Sequence, residues 1–310
     1  MDAKLNLAKL AKHFSDETAA RTLLEQMRWG DNPACPHCGG ADPYRLNRMA
    51  GSSTRPGVWK CRACRKQFTV TVGTIFEDSH IPLSKWLLAI HLLCASKKGM
   101  SAHQLHRMLG VTYKTAWFMA HRLRYAMTQE PLASKLSGTV EADETYVGGK
   151  RRDRIGRPGF GDPQKTAVVA LVERGGRVRA FPMPRVTVKN IREAVAEHVD
   201  FHRSRFITDE SNLYAGYKAG IMPHDTVNHS HGEYVRGDVH TNTVEGFFSL
   251  LKRGIYGVYH HVGKGHLHRY CDEFSFRYSA RGMDDGERTV LAVKGAEGKR
   301  LTYRQPAGAM

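Results

Sequence analysis

Four of the six cysteines fall as Cys35-Pro-His-Cys38 and Cys61-Arg-Ala-Cys64, with 22 residues between the pairs. Two such turns can bring four thiolates to one tetrahedral zinc ion. No other short pattern here restricts the fold as tightly, because the chain between the pairs must return to the same point. That intervening stretch, with Tyr44, Arg45, Trp59 and Lys60, suits a β-hairpin. Residues 67–72, QFTVTV, then alternate as a strand does. The expectation is a zinc ribbon whose metal is structural; whether the ribbon also touches DNA is open. Two disulfides are the alternative, and they belong to an oxidising compartment. Cys94 and Cys271 have no cysteine nearby and read as buried apolar residues.

The compartment can be read from the rest of the chain. No run of 18 apolar residues occurs, so no membrane span is expected. The opening MDAKLNLAKLAKHF is amphipathic but has no continuous apolar core or cleavage site, so no signal peptide is expected. These absences lead to the expectation of a cytoplasmic, nucleoid-associated protein. The 310 residues allow two or three domains. The formal net charge is +17, which calls for a polyanionic partner, most often nucleic acid. The charge is densest over residues 81–138, with 8 Lys/Arg against one Asp/Glu.

That basic stretch reads as helices. Pro82 and Ser84 open an apolar helix that Gly99 ends. Ser101 caps AHQLHRML, Gly110 stops it, and Thr112 caps YKTAWFMAHRLRYAM. A short helix, a Gly-Val turn and a second helix with a polar start make a helix-turn-helix pattern. On this reading Tyr113, Lys114 and Thr115 reach base edges, while Arg122 and Arg124 meet phosphates. An ordinary three-helix packing unit would look the same. Upstream, SDETAARTLLEQMRWG reads as a capped amphipathic helix.

From Thr139 the pattern changes to strand, hairpin turning at Gly175-Gly176, helix, strand, short helix, strand, helix. This order predicts an RNase H-like α/β domain with a mixed sheet. Asp143 would sit on its first strand, Asp209 near the end of the adjacent fourth, and Glu245 on a helix crossing the same end. Three carboxylates so gathered can hold two magnesium or manganese ions for phosphodiester chemistry. Glu141 and Glu144 compete with Asp143; alternation puts Glu141 on the Asp143 face and Glu144 on the other. Asn242 lies one turn before Glu245 and could serve as third ligand instead. Asp209 could simply cap the short helix beginning at Ser211. Lys252, seven residues after Glu245, could contact a phosphate of the scissile strand.

Histidines 224, 229, 231, 240, 260, 261, 266 and 268 crowd the last third. They lack tight ligand spacing, so phosphate contacts or plain surface fit better than a second zinc site. His240, beside the helix that carries Glu245, is the best placed for a role.

Taken together, CPHCG, WKCRACRKQFTVTVGTIFEDSHIPLSKW, DETYVGGK, TDESNLY and HTNTVEGFFSLLKRGIYGVYHHV resemble the ISXO-like insertion-sequence transposases, relatives of Merlin elements, over roughly residues 15–281. The resemblance implies a DDE transposase that binds terminal inverted repeats, cleaves element ends and joins 3′-hydroxyls to target DNA. By motif, Asp143, Asp209 and Glu245 become the metal ligands and Lys252 the basic partner, with Asn242 still open as third ligand. It also implies a homodimer or higher oligomer, since two ends are handled together. A DNA-binding regulator that has lost catalysis and another RNase H-like nuclease are the competing readings. The expected division is a helical segment 1–30, ribbon 31–80, helix-turn-helix region 81–138, catalytic domain 139–281 and flexible tail 282–310.

Overall fold

The computed structural model describes residues 16–46, 54–128, 134–149, 165–214 and 222–302. The amphipathic opening, part of the ribbon hairpin and all of AGYKAG after Tyr214 lie outside the described residues. The chain divides into two compact units, one of Met1–Met127 with Met283–Ala309 and the other within Thr128–Gly282.

The first unit begins with α1 (Glu17–Trp29), capped by Asp16, whose carboxylate accepts from the Thr18 and Ala19 amides. The ribbon comes next as an antiparallel sheet of β1 (Pro43–Arg45), β2 (Trp59–Cys61) and β3 (Gln67–Phe68). Its small core is aromatic: Trp29 meets Trp59 and Phe68 edge-on at 5.9 and 6.0 Å. Glu25 of α1 accepts from the Trp59 indole at 3.1 Å and pairs with Arg45, fixing helix to sheet.

Beyond the ribbon lie α2 (Leu83–Ala95), α3 (Ala102–Leu109) and α4 (Tyr113–Ala126). Ser101 and Thr112 cap α3 and α4 as expected, and Gly110 takes the left-handed conformation between them (φ 59°, ψ 44°). Pro82 offers α2 no side-chain cap; Glu17 of α1 supplies it, accepting from the Leu83 and Ser84 amides.

The segment after Gly282 is not a flexible tail where it is described. It forms α8 (Asp285–Lys294), opened by a capping box between Asp284 and Glu287. The helix packs on α1, α2 and α4. Thr289 hydrogen-bonds His91 at 3.1 Å, and Arg288 donates to the Cys94 carbonyl. A Cβ on Gly295 would come within 2.4 Å of the Ala126 carbonyl oxygen, so only glycine permits this approach. The C-terminal segment is folded because the apolar faces of α2 and α4 need a cover.

That cover corrects a second expectation. Arg122 is 7% exposed, and its guanidinium donates to the carbonyls of Leu301, Ile75 and Glu77 at 3.0, 2.8 and 3.1 Å. Arg124 is 2% exposed. Neither side chain is available to a phosphate; Arg122 satisfies backbone carbonyls where the C-terminal segment closes over α4.

The second unit is built on a five-stranded sheet with β4 (Leu136–Gly148) at its centre. β5 (Lys165–Glu173) and β6 (Val178–Met183) form an antiparallel meander on one side. β7 (Val199–Asp209) and β8 (His224–Val227) run parallel to β4 on the other. The order across the sheet is β6-β5-β4-β7-β8. Both faces are covered, so the run AVVALV in β5 is apolar throughout rather than alternating. Val169 and Leu171 point into a core with Ile191 and Val195 of α5 (Val188–His198). Val168, Ala170 and Val172 point into a second core with Val244, Phe247 and Leu251 of α6 (Asn242–Gly254) and Cys271 and Phe274 of α7 (Leu267–Ser279). A two-residue ribbon, β9 (Val235–Arg236) with β10 (Val239–His240), precedes α6.

Candidate metal centres

The four cysteine sulfurs lie within 4.8 Å of one another. Two of their separations, Cys35–Cys64 and Cys38–Cys61, are 3.7 and 3.6 Å. Sulfurs on a tetrahedron around zinc at about 2.3 Å stand about 3.8 Å apart, whereas a disulfide needs about 2.05 Å. The sulfurs therefore fit a zinc ion, and disulfides are excluded. Both CxxC turns are built alike: the residue after each second cysteine is left-handed, Gly39 at φ 74° and Arg65 at φ 63°. The Cys64 amide faces the Cys61 sulfur at 3.5 Å, and this contact leads in drawing the Cys61 thiol down to about 7. A thiol so placed loses its proton readily to a metal.

The acidic site is assembled across three elements. β4 and β7 are parallel with Glu141 opposite Ile207, so Asp143 and Asp209 come two residues further along each strand. Asp143 is half-buried on the α6 side of the sheet. Burial pushes its carboxyl up to about 7, with the charges of Glu144, Asp209 and Glu245 adding to the shift. Its Oδ1 accepts from the Glu144 amide at 2.7 Å. Asp209 is also raised, by burial first and the Glu210 charge as well, against the pull of the Ser211 amide on its Oδ1 at 3.1 Å. That amide bond realises part of the capping reading for Asp209 and leaves its Oδ2 without a protein donor among the described residues.

Glu245 lies in the first turn of α6, exposed, with its Oε1 accepting from the Thr241 hydroxyl at 2.9 Å. Asn242 is exposed at the first position of the same helix, and Lys252 is half-exposed two turns beyond Glu245. Glu144 stands on the opposite face from Asp143, as alternation predicts. It is raised by burial, while the buried Tyr214 hydroxyl donating at 2.8 Å restrains the rise. Tyr214 carries no sequence signal that points to this contact.

Among the described residues only the cysteines form a group of three or more such ligands within 4.8 Å; the acids stand further apart. Their donors are all carboxylate oxygens, the set that magnesium and manganese take. The histidines gather no such group there. His224 meets the Thr208 hydroxyl at 2.9 Å, and His240 lies 3.1 Å from the Arg174 guanidinium.

Of the residues expected to read DNA, Tyr113 is 43% exposed and stacks on His103 at 4.3 Å, and Lys114 is exposed. Thr115 is half-buried, its hydroxyl and amide both engaged by Thr112 at 2.9 and 3.2 Å. It borders a shallow groove of about 720 Å³ with His106, Arg107 and Val111.

Comparison with known proteins gives the family of a chain with a cysteine-held ribbon and a separate mixed-sheet unit. Residues 15–67 match the transposase zinc-ribbon domain and residues 135–279 the ISXO2-like transposase domain. The chain is 30% identical over 287 residues to an uncharacterized protein in transposable element ISH50 of Halobacterium salinarum, covering 86% of this chain and 92% of that one. It belongs to the ISXO2-like transposase family. Among solved structures, the Mos1 strand transfer complex is 11% identical over 68% of this chain and 78% of that one, with a TM-score of 0.23. A pre-cleavage Mos1 transpososome is 13% identical over 69% and 79%, at 0.19. Scores this low carry nothing about this fold. Among the described residues no helix is long and apolar enough to cross a membrane.

Proposed function

We propose that this protein binds the terminal inverted repeats of an insertion sequence and cuts and joins DNA strands there, in an RNase H-like domain. Asp143, Asp209 and Glu245 are its ligands for magnesium or manganese. The observation that carries this reading is the placement of Asp143 and Asp209 on the adjacent parallel strands β4 and β7, with Glu245 in the first turn of α6 and its charge acting on Asp143. Like charges collected in a half-buried edge are costly without a cation, and such clusters are typical of functional sites. A divalent ion bound there would supply Lewis acidity toward a phosphodiester. The protein's own part is positional. β4 and β7 hold two acids side by side, α6 presents the third, and Lys252 on the same helix offers a cation to a scissile-strand phosphate. Tyr113 and Lys114, exposed at the start of α4, fit contacts to base edges and phosphate in duplex DNA. Zinc in the ribbon holds that module folded. A dimer or larger assembly would let two ends be processed together.

The test is strand cleavage on duplex DNA carrying the element's ends, with magnesium. Wild type should nick at the ends, while Asp143→Asn and Asp209→Asn should bind DNA and leave it intact. Equal cutting by all three proteins contradicts the assignment of the acids. Binding without cutting by all three favours a regulator derived from a transposase.

A further inference from the structure

Glu141 is, with Glu273, one of two acids of the second unit whose described side chain is wholly inaccessible. Both oxygens are fully used. Oε2 accepts from the amides of Thr243 and Val244 at 2.8 and 3.0 Å. Oε1 accepts from the Thr243 hydroxyl at 2.7 Å and from Arg174 Nε at 2.5 Å. The amides belong to the first turn of α6, whose N-cap residue Thr241 provides no side-chain cap. The Thr241 hydroxyl donates to Glu245 instead. A carboxylate on β4 thus does the capping that the helix's own sequence leaves undone, and its charge suits the positive end of the helix dipole.

The same Arg174 extends the clamp. It donates to the carbonyls of Asp238 and His240 at 2.7 and 2.9 Å, so the strand leading into α6 is tied to the same point. Glu245 is the residue after Val244, and Asp143 lies two residues beyond Glu141 on the same face of β4. One strand therefore carries a proposed metal ligand and, two residues earlier, the anchor of the helix that carries another.

We infer that Glu141 is a positioning residue for Glu245, setting the first turn of α6 against β4 so that Glu245 and Asp143 address the same cation. The inference rests on the metal-site reading of Asp143 and Glu245. A neutral cap would suffice merely to end a helix. A buried carboxylate needs Arg174 as partner and offsets that cost by fixing one geometry.

The test is manganese(II) binding to the full-length, zinc-loaded chain, monitored by electron paramagnetic resonance. Glu141→Gln should weaken binding about 10-fold, the range typical of lost outer partners, and Glu245→Gln, which removes a ligand, at least as much. The double variant should be no weaker than the worse single one, because Glu141 acts only through Glu245. Losses that multiply, or an unchanged Glu141→Gln beside a weakened Glu245→Gln, overturn the inference. Asp143→Asn separates it from the reading beneath. If Asp143→Asn weakens binding and Glu245→Gln does not, the inference falls and the strand acids stand. If Asp143→Asn binds as wild type does, the metal site itself is wrong and the inference falls with it. Should Glu141→Gln fail to fold, Thr243→Val removes one bond to Glu141. It should weaken binding about 3-fold in wild type and not at all beside Glu245→Gln; no change in wild type overturns the inference.

Discussion

The four cysteines and the acids proposed as ligands around Asp143 are both anionic sets, yet the protein holds them in opposite ways. The cysteines come from two short turns in one ribbon, and their sulfurs already stand at the spacing of a zinc tetrahedron. The acids come from two strands and a helix, remain further apart, and repel one another enough to help keep Asp143 near 7. A closed thiolate site contributes to folding, and an open carboxylate site costs stability until a cation arrives. On the proposed function, the difference is that between a metal that maintains a structure and one that works on a substrate.

The comparison can be broken most severely at the ribbon. Cys61→Ser should abolish stoichiometric zinc, measured by elemental analysis, and unfold residues 31–80, since structural zinc sites hold on the order of 10 kcal/mol of folding free energy. Retained zinc with a folded ribbon would contradict a four-sulfur site. Second in size is Arg122→Ala, expected to cost about 3 kcal/mol in chemical denaturation because two buried carbonyls and one half-buried one lose their donor. Lys114→Ala should leave stability unchanged and weaken DNA binding, lowering the salt slope by about 1. The pair distinguishes a buried arginine from a lysine facing solvent.

The acidic site should respond in the opposite direction from the ribbon. Asp143 is raised from 3.8 to about 7 in the folded chain, so its contribution to stability is complete below 3.8 and is lost as pH rises through 7. Asp143→Asn should therefore stabilise the metal-free protein by about 2 kcal/mol at pH 8 and by nearly nothing at pH 4, in urea titrations. A destabilised variant at pH 8 would mean the site is not electrostatically strained. The smallest effect belongs again to the ribbon. Arg65→Gly, at a left-handed position whose counterpart is already Gly39, should add about 0.5–1 kcal/mol to thermal stability with zinc content unchanged.

Features with local causes are legible in the sequence. The cysteine spacing specifies the ribbon, Ser101 and Thr112 mark helix starts, and the order of strands places Asp143 beside Asp209. Strand alternation even separates Glu144 from Glu141 and Asp143. What the sequence hides depends on distant segments. Asp284-Asp285-Gly286-Glu287 holds a capping-box signal, but nothing local says the helix it starts will cover α4. Reading residues 283–302 as part of a tail and reading Arg122 as a phosphate contact are thus linked, because Leu301 of the supposed tail is one of the carbonyls that Arg122 satisfies. The Glu141 clamp is hidden for the same reason: alternation gives its face, while its partners Arg174 and Thr243 arrive from elsewhere in the chain.

The central claim is that protons and divalent cations compete for Asp143 on β4 and the acids gathered around it. Its most direct test is the manganese-induced shift in melting temperature of the zinc-loaded full chain, taken at pH 6 and pH 8. The account predicts a shift that grows from pH 6 to pH 8 as Asp143 gives up its proton, and that disappears in Asp143→Asn. A shift independent of pH, or one that persists in Asp143→Asn, would contradict it.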